Sequence, residues 1–113
     1  MKSKIIALSK NDEFKQLLKM KKVSNKYVTI FFGDLARKKN TNLNISFVTK
    51  RKLGNAVKRN QIKRRLRSIM TEATKTIPVK LNYSYLVIAK PTMLNSGFKD
   101  IKETLFQEFK KIK

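Results

Sequence analysis

The apolar residues near the start of the chain follow the spacing of a helix. Phe14, Leu17 and Leu18 lie three and four positions apart, so that a helix would place them on one face. The segment 9–11 contains a serine and an asparagine, and either of them can cap a helix that begins there. The pattern predicts a short amphipathic helix over residues 9–20.

Three later segments are rich in β-branched and aromatic residues, which is typical of strands. Residues 27–33 are apolar on both alternating faces, so both faces of this strand should be covered. Residues 43–49 alternate between apolar and polar positions, and we expect them to form a hairpin with the first strand across the polar loop 34–42. Residues 83–89 form a nearly continuous apolar run, which is typical of a central strand.

Two longer helices complete the pattern. Gly54 interrupts the preceding segment, and Asn55 is a good N-cap for a helix that continues to near Ala73. A last helix is predicted from Phe98 to Ile112. The buried stripe of the first of these helices should contain Ile62, Leu66, Ile69, Met70 and Ala73, and that of the second should contain Ile101, Leu105, Phe109 and Ile112.

The predicted order of elements is therefore α-β-β-α-β-α, an α+β sandwich that we assign to a single domain of residues 1–113. The strand, helix and strand between residues 43 and 89 should form a unit with parallel strands. General rules make the crossover of such a unit right-handed.

Positive charge is concentrated on the helix that begins at Asn55. Beside its apolar stripe, Arg59, Lys63 and Arg67 form a row on one flank, and Asn60 and Arg64 lie next to that row. Residues 50–67 hold nine Lys or Arg among eighteen residues.

The charge of the whole chain points in the same direction. The net charge is +21, from 28 basic and 7 acidic residues, and no acid occurs between Asp34 and Glu72. A solvated basic face normally contains acids that pair with its cations at i,i+4. Because such acids are missing here, the pattern favours binding to a polyanion, with nucleic acid ahead of an anionic membrane surface.

Composition also excludes several kinds of site. The chain has no Cys and no His, which removes disulfides, thiolate nucleophiles, the commonest general base and the commonest ligand of transition metals. Its acids are scattered, so that no carboxylate cluster is expected to hold metal ions. With no long apolar segment and no pattern of a signal peptide, we expect a cytoplasmic protein that does not bind a membrane.

The segment KLGNAVKRNQIKRRLR, residues 52–67, closely resembles the signature of the bacterial ribonuclease P protein subunit. Asp12–Phe14 resembles the start of the first helix in this family, Tyr27–Val28 the opening of its first long strand, and Leu86–Pro91 the end of its last strand. The chain departs from the family pattern at Gln61, where an arginine is usual, and it has one additional residue before Gly54.

The resemblance implies a fold and two RNA-binding surfaces. It implies a left-handed crossover around the basic helix, against the general rule. It also implies that the basic helix binds the catalytic RNA subunit through Lys52, Asn55, Arg59, Asn60, Gln61, Lys63, Arg64 and Arg67. A cleft for the 5′ leader of precursor tRNA would use Phe14, Leu18, Val28 and Ile30, flanked by Lys63 and Arg67.

The implied activity is cleavage of the 5′ leader from precursor tRNA by a ribonucleoprotein. The family places the catalytic Mg²⁺ ions in the RNA subunit, so that this chain would supply no catalytic residue. We expect a monomeric protein in a 1:1 complex with that RNA. The alternatives are a ribosomal or other structural RNA-binding protein, a self-sufficient metal-dependent nuclease, and a basic DNA-compacting protein.

Overall fold

The computed structural model describes residues 5–6, 11–33, 43–77 and 83–112, in which five strands form one mixed sheet and three α-helices pack on it. The strands are β1 (Ile5–Ile6), β2 (Lys21–Ser24), β3 (Val28–Gly33), β4 (Leu43–Val48) and β5 (Ser84–Ala89). The helices are α1 (Asn11–Leu18), α2 (Ala56–Thr76) and α3 (Phe98–Lys111), and short 3-10 helices occur at Arg51–Leu53 and Pro91–Asn95.

The strand order in the sheet is β1-β4-β5-β3-β2. The predicted hairpin between β3 and β4 is wrong, because β5 lies between them and pairs antiparallel with β3 and parallel with β4. The predicted central position of β5 is confirmed. Every residue of β5 except Ile88 is buried, and only a strand with neighbours on both edges and cover on both faces can bury such a run.

The chain between β4 and β5 forms the predicted parallel unit. Strand β4 leads through the 3-10 helix at Arg51–Leu53 into α2, and β5 then returns beside β4, with Phe47 opposite Val87. The segment 34–42, which was predicted to be a polar loop, lies outside the described residues.

The larger apolar core lies between one face of the sheet and helices α2 and α3. Strand residues of this face are Val28, Ile30, Phe32, Ile45, Tyr85, Val87 and Ala89. All the predicted stripe residues of α2 and α3 are buried in this cluster, which confirms the periodicity analysis. A smaller cluster on the opposite face joins Leu17 of α1 to Leu86 of β5.

The element boundaries differ from the prediction mainly at the edges of the sheet. Helix α1 ends at Leu18, because the chain turns there and enters β2, a strand that the sequence pattern did not predict. Three of the four β2 residues are polar and exposed, so β2 carries no apolar alternation that would reveal an edge strand. Strand β1 has two residues, too few for any periodicity, and α2 continues three residues beyond Ala73.

Gly54 joins the 3-10 helix to α2 in a backbone conformation that other residues rarely adopt. Its φ is 126° and its ψ is −163°, a region occupied almost only by glycine. A Cβ at this position would also lie 3.0 Å from Cδ of Lys58. The glycine therefore sets the direction in which α2 leaves β4.

Replacing Gly54 with alanine should destabilise the protein, because the new side chain is strained by its φ. We expect Gly54→Ala to lower the free energy of unfolding by about 1–3 kcal/mol, measured by urea denaturation. Gly97→Ala is the matched control, because no atom lies within 4 Å of a Cβ built at Gly97 and its φ is −73°. Equal losses in the two variants would contradict a special role for Gly54.

Candidate RNA-binding site

The start of α2 is fixed by a side-chain cap, as predicted. The Oδ1 atom of Asn55 accepts a hydrogen bond of 3.0 Å from the backbone N–H of Lys58. Lys52 lies in the preceding 3-10 helix, and its side chain is exposed like that of Asn55. The unpaired N–H groups of the first helical turn and the positive end of the helix dipole lie next to these side chains.

The apolar stripe of α2 fixes which of its flanks faces outward. Ile62, Leu66 and Ile69 are at most 2% exposed against the sheet. Burial of these three side chains stabilises the fold by about 6 kcal/mol. Repulsion between like-charged neighbours at i,i+4 on the same helix reduces this stabilisation by only about 0.2–0.5 kcal/mol per pair. Burial of the stripe therefore outweighs the repulsion and keeps the cations on the outward flank of the helix.

One flank of α2 and strand β4 form an open groove with a volume of about 470 Å³. We call it the α2–β4 groove. The helix side is lined by Asn60, Lys63, Arg64 and Arg67, and the strand side by Ile45, Ser46, Phe47 and Val48. The four helix residues share one flank because they lie three, four and seven positions apart.

The two walls of the groove differ in character. The helix wall contributes three cations, Lys63, Arg64 and Arg67, and all three are exposed. None of the described residues that line the groove is acidic. On the strand wall, Phe47 and Val48 are half-buried and apolar. Guanidinium and ammonium groups bind phosphate oxygens, and an apolar wall suits the faces of unstacked bases.

Four of the eight predicted RNA-subunit residues do not line the groove: Lys52, Asn55, Arg59 and Gln61. Arg59 is half-buried beside the apolar stripe, and its Nε is buried without a hydrogen-bond partner in the described part of the chain. Gln61 is exposed on α2 but does not line the groove. The structure therefore brings together Asn60, Lys63, Arg64 and Arg67, and the other four predicted residues lie outside this groove.

The predicted leader cleft needs a correction at two positions. Val28 and Ile30 are 0% exposed, and they point into the core shared with α2 and α3. Successive strand residues point to opposite faces, so the face beneath α1 carries Phe31. Val28 and Ile30 cannot contact a leader without disruption of the core.

The surface beneath α1 instead uses the alternate strand positions. Leu17 and Leu86 pack together there, with half-buried Phe31, Val48 and Ile88 around them. Val48 also lines the α2–β4 groove, so the apolar surface under α1 continues into that groove. At the end of α1, Leu18 is 50% exposed.

Phe14, the aromatic residue assigned to the same cleft, lies on α1. Its side chain is outside the described part of the structure. Its contact with the leader stays a prediction.

The sequence pattern does not predict the strand wall of the groove. It predicts Ser46, Phe47 and Val48 only as strand residues, since it gives no indication of which strand lies beside α2. The signal available was the short connection from β4 to α2, which limits how far the helix can lie from that strand.

The described residues contain no group of three or more acidic side chains that is placed to hold a metal ion. Two carboxylates among the described residues contact other side chains of the protein. Glu72 forms an ion pair of 2.7 Å with Lys102, and Glu108 accepts a hydrogen bond from Asn25. None of the helices in the described ranges is long and apolar enough to cross a membrane.

Comparison with known proteins gives a consistent result. The sequence profile of the family described as ribonuclease P matches residues 3–113. The ribonuclease P protein components of Bacillus cereus (strain Q1) and Bacillus anthracis (strain CDC 684) are each 30% identical to this chain over 105 residues. The alignments cover 92% of this chain, 88% of the first relative and 85% of the second.

Solved structures show the same fold. The RNase P protein from Thermotoga maritima superposes with a TM-score of 0.80 at 26% identity, covering 96% of this chain and 98% of that one. The Staphylococcus aureus RNase P protein gives a TM-score of 0.74 at 28% identity, covering 94% and 93%. Because a crossover of the opposite hand would place α2 on the other face of the sheet, this agreement supports the left-handed crossover over the general rule.

The cap at Asn55 should be separable from any contact that its side chain makes with a ligand. Asn55→Ala should lower the free energy of unfolding by about 1 kcal/mol, whereas Asn55→Asp keeps an acceptor for the Lys58 N–H and should preserve stability. Asn60→Ala, in the same helix but outside the cap, is the control and should not destabilise the protein. Urea denaturation measures all three, and an equal loss in Asn55→Asp would contradict the cap.

Proposed function

The chain belongs to the ribonuclease P protein family, the protein subunits of an endoribonuclease that processes tRNA, and we propose that its α2–β4 groove is the RNA-binding surface for this function. The observation that carries the proposal is the composition of the groove. Three exposed cations and Asn60 lie on one helix flank, without an acid among the described lining residues, opposite an apolar strand wall.

The groove supports binding of an irregular RNA surface rather than a regular duplex. Side chains cannot read the deep, narrow major groove of an RNA duplex, whereas single strands, loops and bulges expose bases that can stack on apolar side chains. Phe47 and Val48 supply such a surface, and the cations opposite them supply phosphate contacts. Both kinds of contact are available within one groove, which favours a folded or single-stranded RNA ligand.

We assign the contacts to two RNA partners. The catalytic RNA subunit is proposed to bind the start of α2 and its outer flank. The residues for this contact are Lys52, Asn55, Arg59, Asn60, Gln61, Lys63, Arg64 and Arg67, of which Lys63 and Arg67 also border the path of the leader. The leader of precursor tRNA is proposed to follow the surface from the end of α1 into the groove, where Leu18, Val48, Lys63 and Arg67 lie.

Mg²⁺ is proposed to be held by the RNA subunit. The support from this chain is its donor set, since seven acids among 113 residues are scattered and two of the described carboxylates are engaged with other side chains. The metal supplies activated water and stabilises charge at the cleaved phosphate. The cations of this chain lower the repulsion between the phosphates that must approach one another there.

The assembly is proposed to contain one copy of this protein and one RNA subunit, in the cytoplasm. The Cα radius of gyration of 13.3 Å is that expected for one domain of this length, about 13 Å, so each copy would enter the assembly as one compact domain.

The groove can be tested with two lysines on the same helix. Lys63 lines the groove, whereas Lys75 is also exposed, near the other end of α2, and does not line the groove. Lys63→Ala should weaken binding to the RNA subunit and to precursor tRNA. It should also reduce the slope of log K against log salt by about 1, because one phosphate contact is lost. Lys75→Ala should leave both quantities unchanged.

Equal effects of the two substitutions would show that the whole basic surface binds RNA without a defined site, and would contradict the groove. A purely structural RNA-binding protein would also lose affinity in Lys63→Ala, but it would show no difference between precursor and mature tRNA. The same titration against both tRNAs therefore separates the proposed function from a scaffolding role.

A further inference from the structure

A second cleft, of about 500 Å³, lies where the end of α1 enters β2, away from the α2–β4 groove. We call it the α1–β2 cleft. It is lined by Lys19, Met20, Lys21, Phe32, Gly33 and Tyr83. None of these residues belongs to the family signature on α2 or to the proposed leader residues.

The aromatic wall of the cleft is held in place by neighbouring rings. The ring centroid of Tyr83 lies 5.5 Å from that of Phe32 and 6.4 Å from that of Tyr85. Tyr85 in turn packs edge-on against Phe109 of α3, with centroids 5.2 Å apart. Tyr83 is therefore the half-buried outer member of an aromatic cluster that reaches the core, and its ring is positioned before any ligand binds.

Gly33 and Met20 form the apolar floor. Met20 is 37% exposed although it is a large apolar residue, and its Sδ lies so close to Gly33 that a Cβ there would overlap it. The missing side chain at Gly33 thus allows the flexible thioether to lie on the end of β3. Methionine beside an aromatic ring provides an adaptable surface for a flat apolar group.

The rim of the cleft is cationic. Lys19 and Lys21 are both exposed, and no described residue that lines the cleft is acidic. A flat apolar wall with two cations at its edge complements a ligand that combines an aromatic ring with a negative charge. An unpaired nucleotide has this combination, and stacking on aromatic side chains is how proteins bind single strands without reading their sequence.

We propose that the α1–β2 cleft binds one unpaired nucleotide of the 5′ leader, with its base on Tyr83 and Met20 and its phosphate between Lys19 and Lys21. The proposal rests on the proposed function, because it extends the path of the leader beyond the α2–β4 groove.

The sheet sets the distance between the two sites. The groove borders β4, and the cleft extends from Tyr83, just before β5, to Lys21 of β2, which are one to three strand spacings from β4, or about 5–14 Å. A stacked single strand advances 3.4 Å per nucleotide, so roughly two to four nucleotides span this distance. Short leaders should therefore fill the groove alone, and only longer leaders should reach Tyr83.

Affinity for precursor tRNA as a function of leader length tests the proposal. The holoenzyme, reconstituted with its RNA subunit, is titrated with precursors whose leaders increase one nucleotide at a time. Tyr83→Ala should remove the gain in affinity that the longer leaders give. We expect this loss to be about fivefold, which is the lower end of the range for loss of one stacked base. The substitution should leave the affinity for short leaders unchanged, and Tyr83→Phe should retain the whole gain.

Lysines of β2 provide a matched control. Lys21 lines the cleft, and Lys22 is the next residue of the same strand, equally exposed but on the opposite face. Lys21→Ala should reduce the gain from longer leaders, whereas Lys22→Ala should not.

Three outcomes would overturn the proposal. The first is a Tyr83→Ala titration identical to wild type at every leader length. The second is an equal loss for short and long leaders, which would make the role of Tyr83 structural. The third is a loss of affinity for the RNA subunit alone, which would make that RNA the occupant of the cleft. Failure of the proposed function is recognised separately, because the wild-type protein would then add no affinity even for short leaders.

Discussion

The structure depends on one division of α2, between an apolar stripe that must be buried and a cationic flank that must stay accessible. Ile62, Leu66 and Ile69 lie against the sheet and fix the rotation of the helix about its axis. That rotation places Asn60, Lys63, Arg64 and Arg67 beside residues 45–48 of β4. The start of the helix is fixed independently, by the backbone of Gly54 and the cap at Asn55. Because burial outweighs repulsion between neighbouring cations several-fold, the protein without RNA already holds the proposed RNA-binding surface in place.

The same division agrees with the proposed role of the protein as an accessory to a catalytic RNA. A net charge of +21 on 113 residues is unfavourable for a compact chain, and neutralisation by RNA phosphates relieves it. Charge of this kind attracts RNA, lowers repulsion between RNA segments and makes binding strongly dependent on salt. It does not activate water or protonate a leaving group. A protein that contributes positioned cations and apolar walls fits a ribonucleoprotein in which the RNA carries out the chemistry.

The sequence predicts features that depend on neighbouring residues in the chain better than features that depend on contacts between distant segments. The cap, the start and the stripe of α2 follow from residues close together in the chain, and the structure confirms them, although the helix ends three residues beyond Ala73. Strand pairing is not local, so a hairpin between β3 and β4 was a reasonable expectation that the insertion of β5 overturned. The error at Val28 and Ile30 has a similar origin, because positions carried over from a family motif do not reveal which strand face lies under α1. To predict the strand wall of the groove, one would need both the pairing of the strands and the rotation of α2 about its axis.

The most direct test of the account is cleavage of precursor tRNA by the cognate RNA subunit at low Mg²⁺, with and without this protein. We expect that addition of the protein allows cleavage at Mg²⁺ concentrations at which the RNA alone is inactive, and that the stimulation decreases as salt increases. The protein with Mg²⁺ but without the RNA subunit should leave the substrate intact. Cleavage by the protein alone, or no stimulation of the RNA at any Mg²⁺ concentration, would contradict the account.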